Sequence, residues 1–416
     1  MLHVLMNGQI IGDLDGTAKN LRLRYEASAV PAPWFVPLSV NMPADRARWR
    51  GAKLDAWLDG LLPDRDAVIQ RWRTQFGIRS RNTIDLLAYV GEDVAGSAQF
   101  VRPDRLDTVL HQDKALTPLS EAEIAAIARA ARLDSLPYDR AAHVGHFSLA
   151  GAQAKFALQK TGSGWALPSG AEPSTHIFKP AIPGLDDQDV VEVITMRMAA
   201  LLGLPTAFAR LTNFGGESVA EVERYDRVLV NGSWHRIHQE DLCQALGIYP
   251  FQKYESQGGP TALACVDVIR KFCGEQDVRT FVRSLIFNYA VRGSDAHARN
   301  YALLITPGDV RLAPLYDLNT TLSFGDRWAA HLAMSIGGED RLDTITTSHW
   351  TLFAEQAGLE SDWIHDELVA FLANTPDALT TVCDSEDLAN ETHRMRERLQ
   401  TASALWCNEA RRATTR

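Results

Sequence analysis

The stretch "NYAVRGSDAHARNYALLI", residues 288–305, sets four polar side chains, Asp295, His297, Arg299 and Asn300, between two apolar runs. An ordinary loop needs only turn formers at such a junction. Asp295 precedes Asn300 by five positions, the D-x-x-x-x-N spacing of a kinase catalytic loop. Both residue types are common in loops, so the pair gains meaning only from its surroundings. "YALLI" (301–305) and "VRLAPLY" (310–316) read as two strands joined by "TPGD", a turn sequence with Pro307 and Gly308 together. Closing that hairpin antiparallel sets Asn300 opposite Asp317, within a residue or two, with Asp295 close by. A carboxylate and an amide oxygen are hard ligands of the kind Mg²⁺ prefers. A second carboxylate can orient or take the proton of an attacking hydroxyl. Taken alone, the segment fits a solvated loop and a polar-ended hairpin equally well.

The upstream half of the chain supplies the other groups such chemistry needs. In "SLAGAQAK" (148–155) small residues let backbone N–H groups approach a phosphate, and Lys155 adds positive charge. This is not a Walker A sequence, and a tight hairpin in a small-residue core is the plainer reading of it. Lys179 ends "THIFK", a strand of buried character where a lone ammonium is costly. A phosphate would satisfy it, as would the carboxylate of Glu192 on the next helix, although Glu192 also reads as an exposed helix charge. Loop, lysine, helix, Asp295, Asn300 and Asp317 follow one another in the order of a kinase.

Bulk properties set the frame. The 416 residues leave room for one large domain or two to three smaller ones. Apolar content of 46% and charged content of 23% are those of a soluble globular chain. A net charge of -10 argues against a chain-wide grip on nucleic acid or an anionic membrane. No apolar run is long enough to span a bilayer, and the N-terminus lacks the pattern of a signal peptide. The five cysteines form no CxxC pair and read as reduced thiols. A metal site from His238, Cys243, Cys265 and Cys273 lacks ligand spacing. The expected location is the cytoplasm.

Patterning predicts a β-rich first part and a largely helical second part. "LHVLMNGQIIGDL" reads as a hairpin about Asn7-Gly8, and "NLRLRYEA" as a strand. "KLDAWLDGLL", "DAVIQRWRTQF" and a Ser-capped "LSEAEIAAIARAAR" carry helical periodicity. "DVVEVITMRMAALLGL" is a strong helix stopped at Gly203; "SVAEVERYDRVLV" and "SWHRIHQED" read as strands. Beyond about Leu246 helices dominate, with one hairpin near 301–316. The predicted architecture is α+β and two-lobed, in the manner of a protein kinase.

The chain resembles the HipA-type toxin kinases, the serine/threonine kinases of bacterial type II toxin–antitoxin pairs. The motifs that carry the resemblance are "VPLSVNMP", "FSLAGAQAKFAL", "THIFK", "VERYDR", "RIHQEDLCQALG", "KYESQGGP", "SDAHARN" and "PLYDLNTTL", spread over nearly the whole sequence. The resemblance implies an N-terminal subdomain over 1–105, a β-rich nucleotide-binding lobe over 106–246 and an α-helical lobe with the catalytic and metal-binding loops over 247–416. It makes Asp295 the catalytic aspartate and Asn300 and Asp317 the Mg²⁺ ligands. Ala150, Gly151, Ala152, Gln153, Ala154 and Lys155 match the nucleotide-binding loop, and Lys179 the ATP-contacting lysine. Glu223, Arg224 and Tyr225 match the segment at the adenine end. His297, Ala298, Arg299 and Tyr316 fall in nucleotide-contacting stretches. Ser148 matches a serine that family members autophosphorylate.

Ala154, Arg299 and Tyr225 depart from frequent family residues without removing a catalytic group. The implied cofactors are ATP and Mg²⁺. The implied partners are a HipB-like helix-turn-helix antitoxin, DNA only through it, and a protein substrate of the aminoacyl-tRNA synthetase class. Phosphorylating such a substrate arrests growth and links these toxins to persistence. Two other readings share these residues: an antitoxin-bound corepressor with little catalytic role, and a kinase of lipids or small molecules.

Overall fold

The computed structural model describes residues 1–17, 20–111, 114–133, 151, 153–185, 187–323 and 331–414. They group into two compact units. One comprises residues 1–186, 212–251 and 302–313, and the other residues 187–211, 252–301 and 314–416.

The first unit contains a five-stranded antiparallel sheet. Its strands are β1 (Leu2–Met6), β2 (Gln9–Asp15), β3 (Arg22–Tyr25), β4 (Arg48–Arg50) and β5 (Ala98–Val101), in the order β4-β3-β2-β1-β5. Asn7 and Gly8 join β1 to β2 with φ of 48° and 77°, the left-handed pair that a two-residue hairpin requires. Helices Ala52–Asp59, Asp66–Phe76 and Thr83–Val90 lie between β4 and β5 in the chain.

A six-stranded sheet follows, built from β6 (Lys114–Leu119), β7 (Phe156–Thr161), β8 (Gly164–Gly170), β9 (His176–Pro180), β10 (Ala209–Phe214) and β11 (Glu217–Glu223). Its order is β10-β11-β9-β7-β8-β6. Helix Glu121–Arg132 covers one face. Ser120 caps it through a capping box with Glu123. Ile124, Ile127, Ala128 and Ala131 on this helix join Phe156, Leu158, Trp165, Phe178 and Phe214 of the sheet in one buried cluster. Phe156 and Phe178 stack at 5.1 Å within it.

Two expectations change here. "SVAEVERYDRVLV" is not one strand. It breaks at Arg224–Asp226 and resumes as β12 (Arg227–Val230), paired with β13 (Ser233–Arg236) in a separate hairpin. The reason is electrostatic: the side chains of Arg224, Asp226 and Arg227 enter a buried charge cluster, which an extended strand with alternating faces does not allow. "SWHRIHQED" divides likewise, and β14 (His238–Asp241) joins β15 (Ala302–Thr306) and β16 (Asp309–Leu312) in a three-stranded sheet.

The second unit is helical. Helix Glu275–Ala290 buries Val278, Phe281, Val282, Leu285, Ile286 and Phe287, and packs against helices Ala262–Phe272, Ser361–Cys383 and Arg396–Thr414. Tyr289 at its C-terminal end lies edge-on to both Trp350 and Trp406, and the Trp406 indole donates to the Tyr289 carbonyl at 2.9 Å. Helix Gln188–Leu201 falls in this unit too, and Gly203, with φ of 79°, follows its end. A second hairpin, β17 (His331–Ile336) with β18 (Glu339–Arg341), interrupts the helices where only one was expected. No helix among the described residues is long and apolar enough to cross a membrane.

Candidate active site

Helix Glu275–Ala290 delivers the chain into the polar loop that carries Asp295 and Asn300. Arg292 adopts φ of 52° and Asp317 φ of 57°, two of five non-glycine residues with positive φ among those described. Asn7 and Asn231 each precede a glycine in a hairpin turn, where such values are routine. Arg292 and Asp317 instead flank the polar loop, and its geometry is held from several sides. Thr321 Oγ1 donates to the Arg292 carbonyl at 2.8 Å, and the Gly293 N–H donates to the Asn288 carbonyl at 2.7 Å. Asn288 is 2% exposed, and its amide donates to the Ser284 carbonyl at 2.8 Å and to the Tyr301 hydroxyl at 3.2 Å. Gly293 is required by space: a Cβ there would come within 2.4 Å of Asn288 Oδ1 and 3.1 Å of the Asn319 carbonyl.

Asp295, Asn300 and Asp317 line one concavity, together with Asn288, Gly293 and Asn319. The Asp295 carbonyl accepts from the His297 N–H at 2.8 Å and from Asn300 Nδ2 at 2.7 Å. The second bond fixes the Asn300 amide: its nitrogen is committed to the backbone, and Oδ1 is the atom left to ligate. With the Asp317 carboxylate on the same concavity, the donor set is two hard oxygens, which fits Mg²⁺. Beyond Leu312 the chain leaves the sheet. Leu315 pairs with Thr206, and the Tyr316 hydroxyl donates to the Arg299 carbonyl at 2.8 Å. Asn300 and Asp317 therefore share one concavity, the hairpin register that was expected to align them ending at Leu312. His297 is 4% exposed, lies edge-on to Tyr254, and has Nε2 3.9 Å from Asp295 Oδ1. Ala298, Arg299 and Asn300 form a buried 3-10 turn.

The first unit holds the basic residues. β7 and β9 pair with Phe156 opposite Phe178, next to Lys155 and Lys179 in the chain. The two phenylalanines stack on the core face. Alternation along β9 turns Lys179 to the other face. Lys179 is 6% exposed. Gly151, with φ of 109°, runs so close to Lys155 that a Cβ would lie 2.8 Å from Nζ. Its carbonyl accepts from the Asp64 N–H at 3.2 Å, and Gln153 Nε2 donates to the Pro180 carbonyl at 3.1 Å. Ala154 packs against the sheet core. Ser148, Ala150 and Ala152 lie outside the described residues.

The Glu223–Tyr225 segment ends β11. Glu223 faces His176 in the register, and the Tyr225 hydroxyl donates to Gln239 Oε1. The side chain of Arg224 is buried. It donates to Asp226 at 3.0 and 2.8 Å, to Ser174 Oγ at 2.9 Å and to the Val94 carbonyl at 2.9 Å. Burial opposes its charge, but Asp226 and Asp93 outweigh this and hold its pKa above the usual arginine value. Glu192 is fully buried, which excludes the exposed-charge reading. Tyr254, Asn288 and Gly293 are site residues that spacing did not reveal, and only the motif "KYESQGGP" carried a signal for the first.

Comparison with known proteins finds relatives along the whole chain. The HipA-like C-terminal domain family matches residues 147–379, and the HipA N-terminal domain family residues 2–101. The putative kinase Y4mE of Sinorhizobium fredii is 33% identical over 406 residues, covering 95% of each chain. The serine/threonine-protein kinase toxin HipA of Shewanella oneidensis is 27% identical over 408 residues, 92% of this chain and 89% of the relative. A chain from the solved complex of Shewanella oneidensis HipA, HipB and operator DNA superposes with a TM-score of 0.82 at 25% identity, over 99% of both chains.

Proposed function

This chain belongs to the HipA family of serine/threonine-protein kinases, and from that premise we propose that it transfers the γ-phosphoryl group of ATP to a serine or threonine hydroxyl of a protein, as the toxin of a toxin–antitoxin pair. The observation that carries the reading is the Asn300 amide anchored on the Asp295 carbonyl, with the Asp317 carboxylate lining the same concavity. Asp295 orients the acceptor hydroxyl and receives its proton. Asn300 and Asp317 hold Mg²⁺, which when bound neutralises charge on the phosphates. Lys179, Lys155 and the backbone of residues 150–154 bind the triphosphate, and the Glu223–Tyr225 segment the adenine end. Positioning and electrostatics, more than covalent chemistry, then lower the barrier.

The partner is a HipB-like antitoxin, and contact with DNA is made only through it. The substrate is a translation protein of the aminoacyl-tRNA synthetase class, met in the cytoplasm, whose modification stops growth. Ser148 is the autophosphorylation site, and the added charge of about -1.5 to -2 disfavours binding of the nucleotide's own phosphates.

Purified protein with γ-labelled ATP and Mg²⁺ tests the reading. Label is expected on the protein itself and on a small set of lysate proteins, and Asp295→Asn is expected to abolish both. No label on any protein, or an Asp295→Asn variant as active as the wild type, would overturn it.

A further inference from the structure

The motif "KYESQGGP", residues 253–260, helps carry the family resemblance, yet the roles assigned above give it no task. Its second residue reaches the centre of the site. The Tyr254 hydroxyl donates to Asp295 Oδ1, and the ring stands edge-on to His297 with centroids 5.0 Å apart. The Asp295 side chain is 60% exposed, so a bond to it from a fixed group restricts a carboxylate that solvent does not. A phenol bonded to one oxygen restricts rotation of the carboxylate and so sets its plane.

The rest of the motif holds the tyrosine in place. Glu255 accepts from both the N–H and the Oγ of Ser335 on β17, each at 2.7 Å. The Tyr254 carbonyl accepts from the N–H groups of Gln257 and Gly259, each at 3.0 Å. Gly259 admits no side chain: a Cβ would lie 1.8 Å from the Gln252 carbonyl oxygen and 2.7 Å from that of Tyr254. Each constrained residue of the motif thus bears on one phenol.

We infer that Tyr254 is a positioning residue for phosphoryl transfer, holding the Asp295 carboxylate toward the acceptor hydroxyl, and that the Glu255–Ser335 contact holds Tyr254. The inference rests on the assignment of Asp295 made under Proposed function. Because the tyrosine acts on the aspartate and not on the nucleotide, its loss affects turnover and spares ATP binding.

The test is Tyr254→Phe, which removes one oxygen. The expected result is a kcat lower by about tenfold, the scale of losing one hydrogen bond to a charged group, with an unchanged KM for ATP. Calorimetry with a non-hydrolysable ATP analogue is expected to give the wild-type stoichiometry, which excludes a partly misfolded sample. Glu255→Gln should lower kcat in the same direction by less. In an Asp295→Ala background, which leaves the phenol no side-chain oxygen to bond, Tyr254→Phe should leave the melting temperature where Asp295→Ala alone puts it. A kcat equal to or above that of the wild type, or melting shifts that simply add, overturns the inference. A wild-type protein that transfers no phosphate defeats the kinase assignment together with the catalytic part of this inference. The melting comparison still decides the contact.

Discussion

Asp93→Asn is the substitution whose outcome the structure constrains most tightly. Asp93 sits in a cluster of three guanidinium groups (Arg224, Arg227 and Arg236) and two carboxylates (its own and that of Asp226), with every side chain at most 10% exposed. Its Oδ1 takes Arg227 Nη2 at 2.8 Å, and its Oδ2 takes the Ser174 N–H at 3.0 Å and the Ser174 Oγ at 2.6 Å. Burial alone would raise its pKa. The three arginines outweigh burial and hold it well below the carboxylate range. The lowered value means stability present above the unfolded pKa and lost only in strong acid, so the contribution is flat across pH 5–8.

Replacing Asp93 with asparagine leaves three cations against one anion in a dry interior. Burial already lowers the Arg227 pKa to about 10. Breaking a buried pair of this kind costs about 3–5 kcal/mol, against a total stability of about 5–15 kcal/mol. Urea unfolding at pH 7, followed by far-UV circular dichroism, measures the loss. Arg236→Gln is the control, because it leaves two cations against two anions and removes the guanidinium whose Nε lacks a hydrogen bond. It should cost far less. A loss under 1 kcal/mol for Asp93→Asn, or equal losses for both variants, would refute the charge-balance argument.

Two further outcomes follow from buried groups. Burial raises the Glu240 pKa to about 7, so this residue favours the folded state at low pH, and that contribution fades as pH rises from 4.5 to 7. Burial lowers the His238 pKa to about 4, so its contribution is present above 6.5 and lost as pH falls toward 4. The slopes oppose each other, each worth about 3 kcal/mol at full range. His238→Gln, keeping a donor for the Leu38 carbonyl, should be more stable at pH 5 than at pH 7, and chemical unfolding at the two pH values checks this. Gly293→Ala should lose about 1–3 kcal/mol by overpacking and lower kcat, because the Asn288 side chain it strikes is already held by two hydrogen bonds. Melting temperature and label transfer measure the two effects.

The charge cluster and the Asp295 loop make opposite demands on the chain. In the cluster, guanidinium groups are drawn inward and matched by carboxylates until only a small imbalance remains. At the loop, backbone strain at Arg292 and Asp317 is accepted, and a carboxylate is left largely exposed. The first arrangement fixes structure; the second keeps a reactive group available.

Local chemistry was legible in the sequence. Asn7-Gly8 gave a hairpin because both positions need positive φ, and Ser120 with Glu123 gave a helix start because each satisfies the other's backbone N–H. The helix stopped near Gly203 and the order of Lys179, Asp295, Asn300 and Asp317 were equally plain, since periodicity and order along the chain are properties of sequence. What tertiary structure decided were contacts between distant segments that no local rule encodes. Arg224 and Asp226 broke an apparent strand because their partners Asp93, Val94 and Ser174 come from elsewhere in the chain. Tyr254 met Asp295 across 41 residues because Glu255, still further from Ser335, pinned the turn that carries it. A buried charge or an aimed hydroxyl is settled by what surrounds it in space, and that is fixed only once the chain has folded.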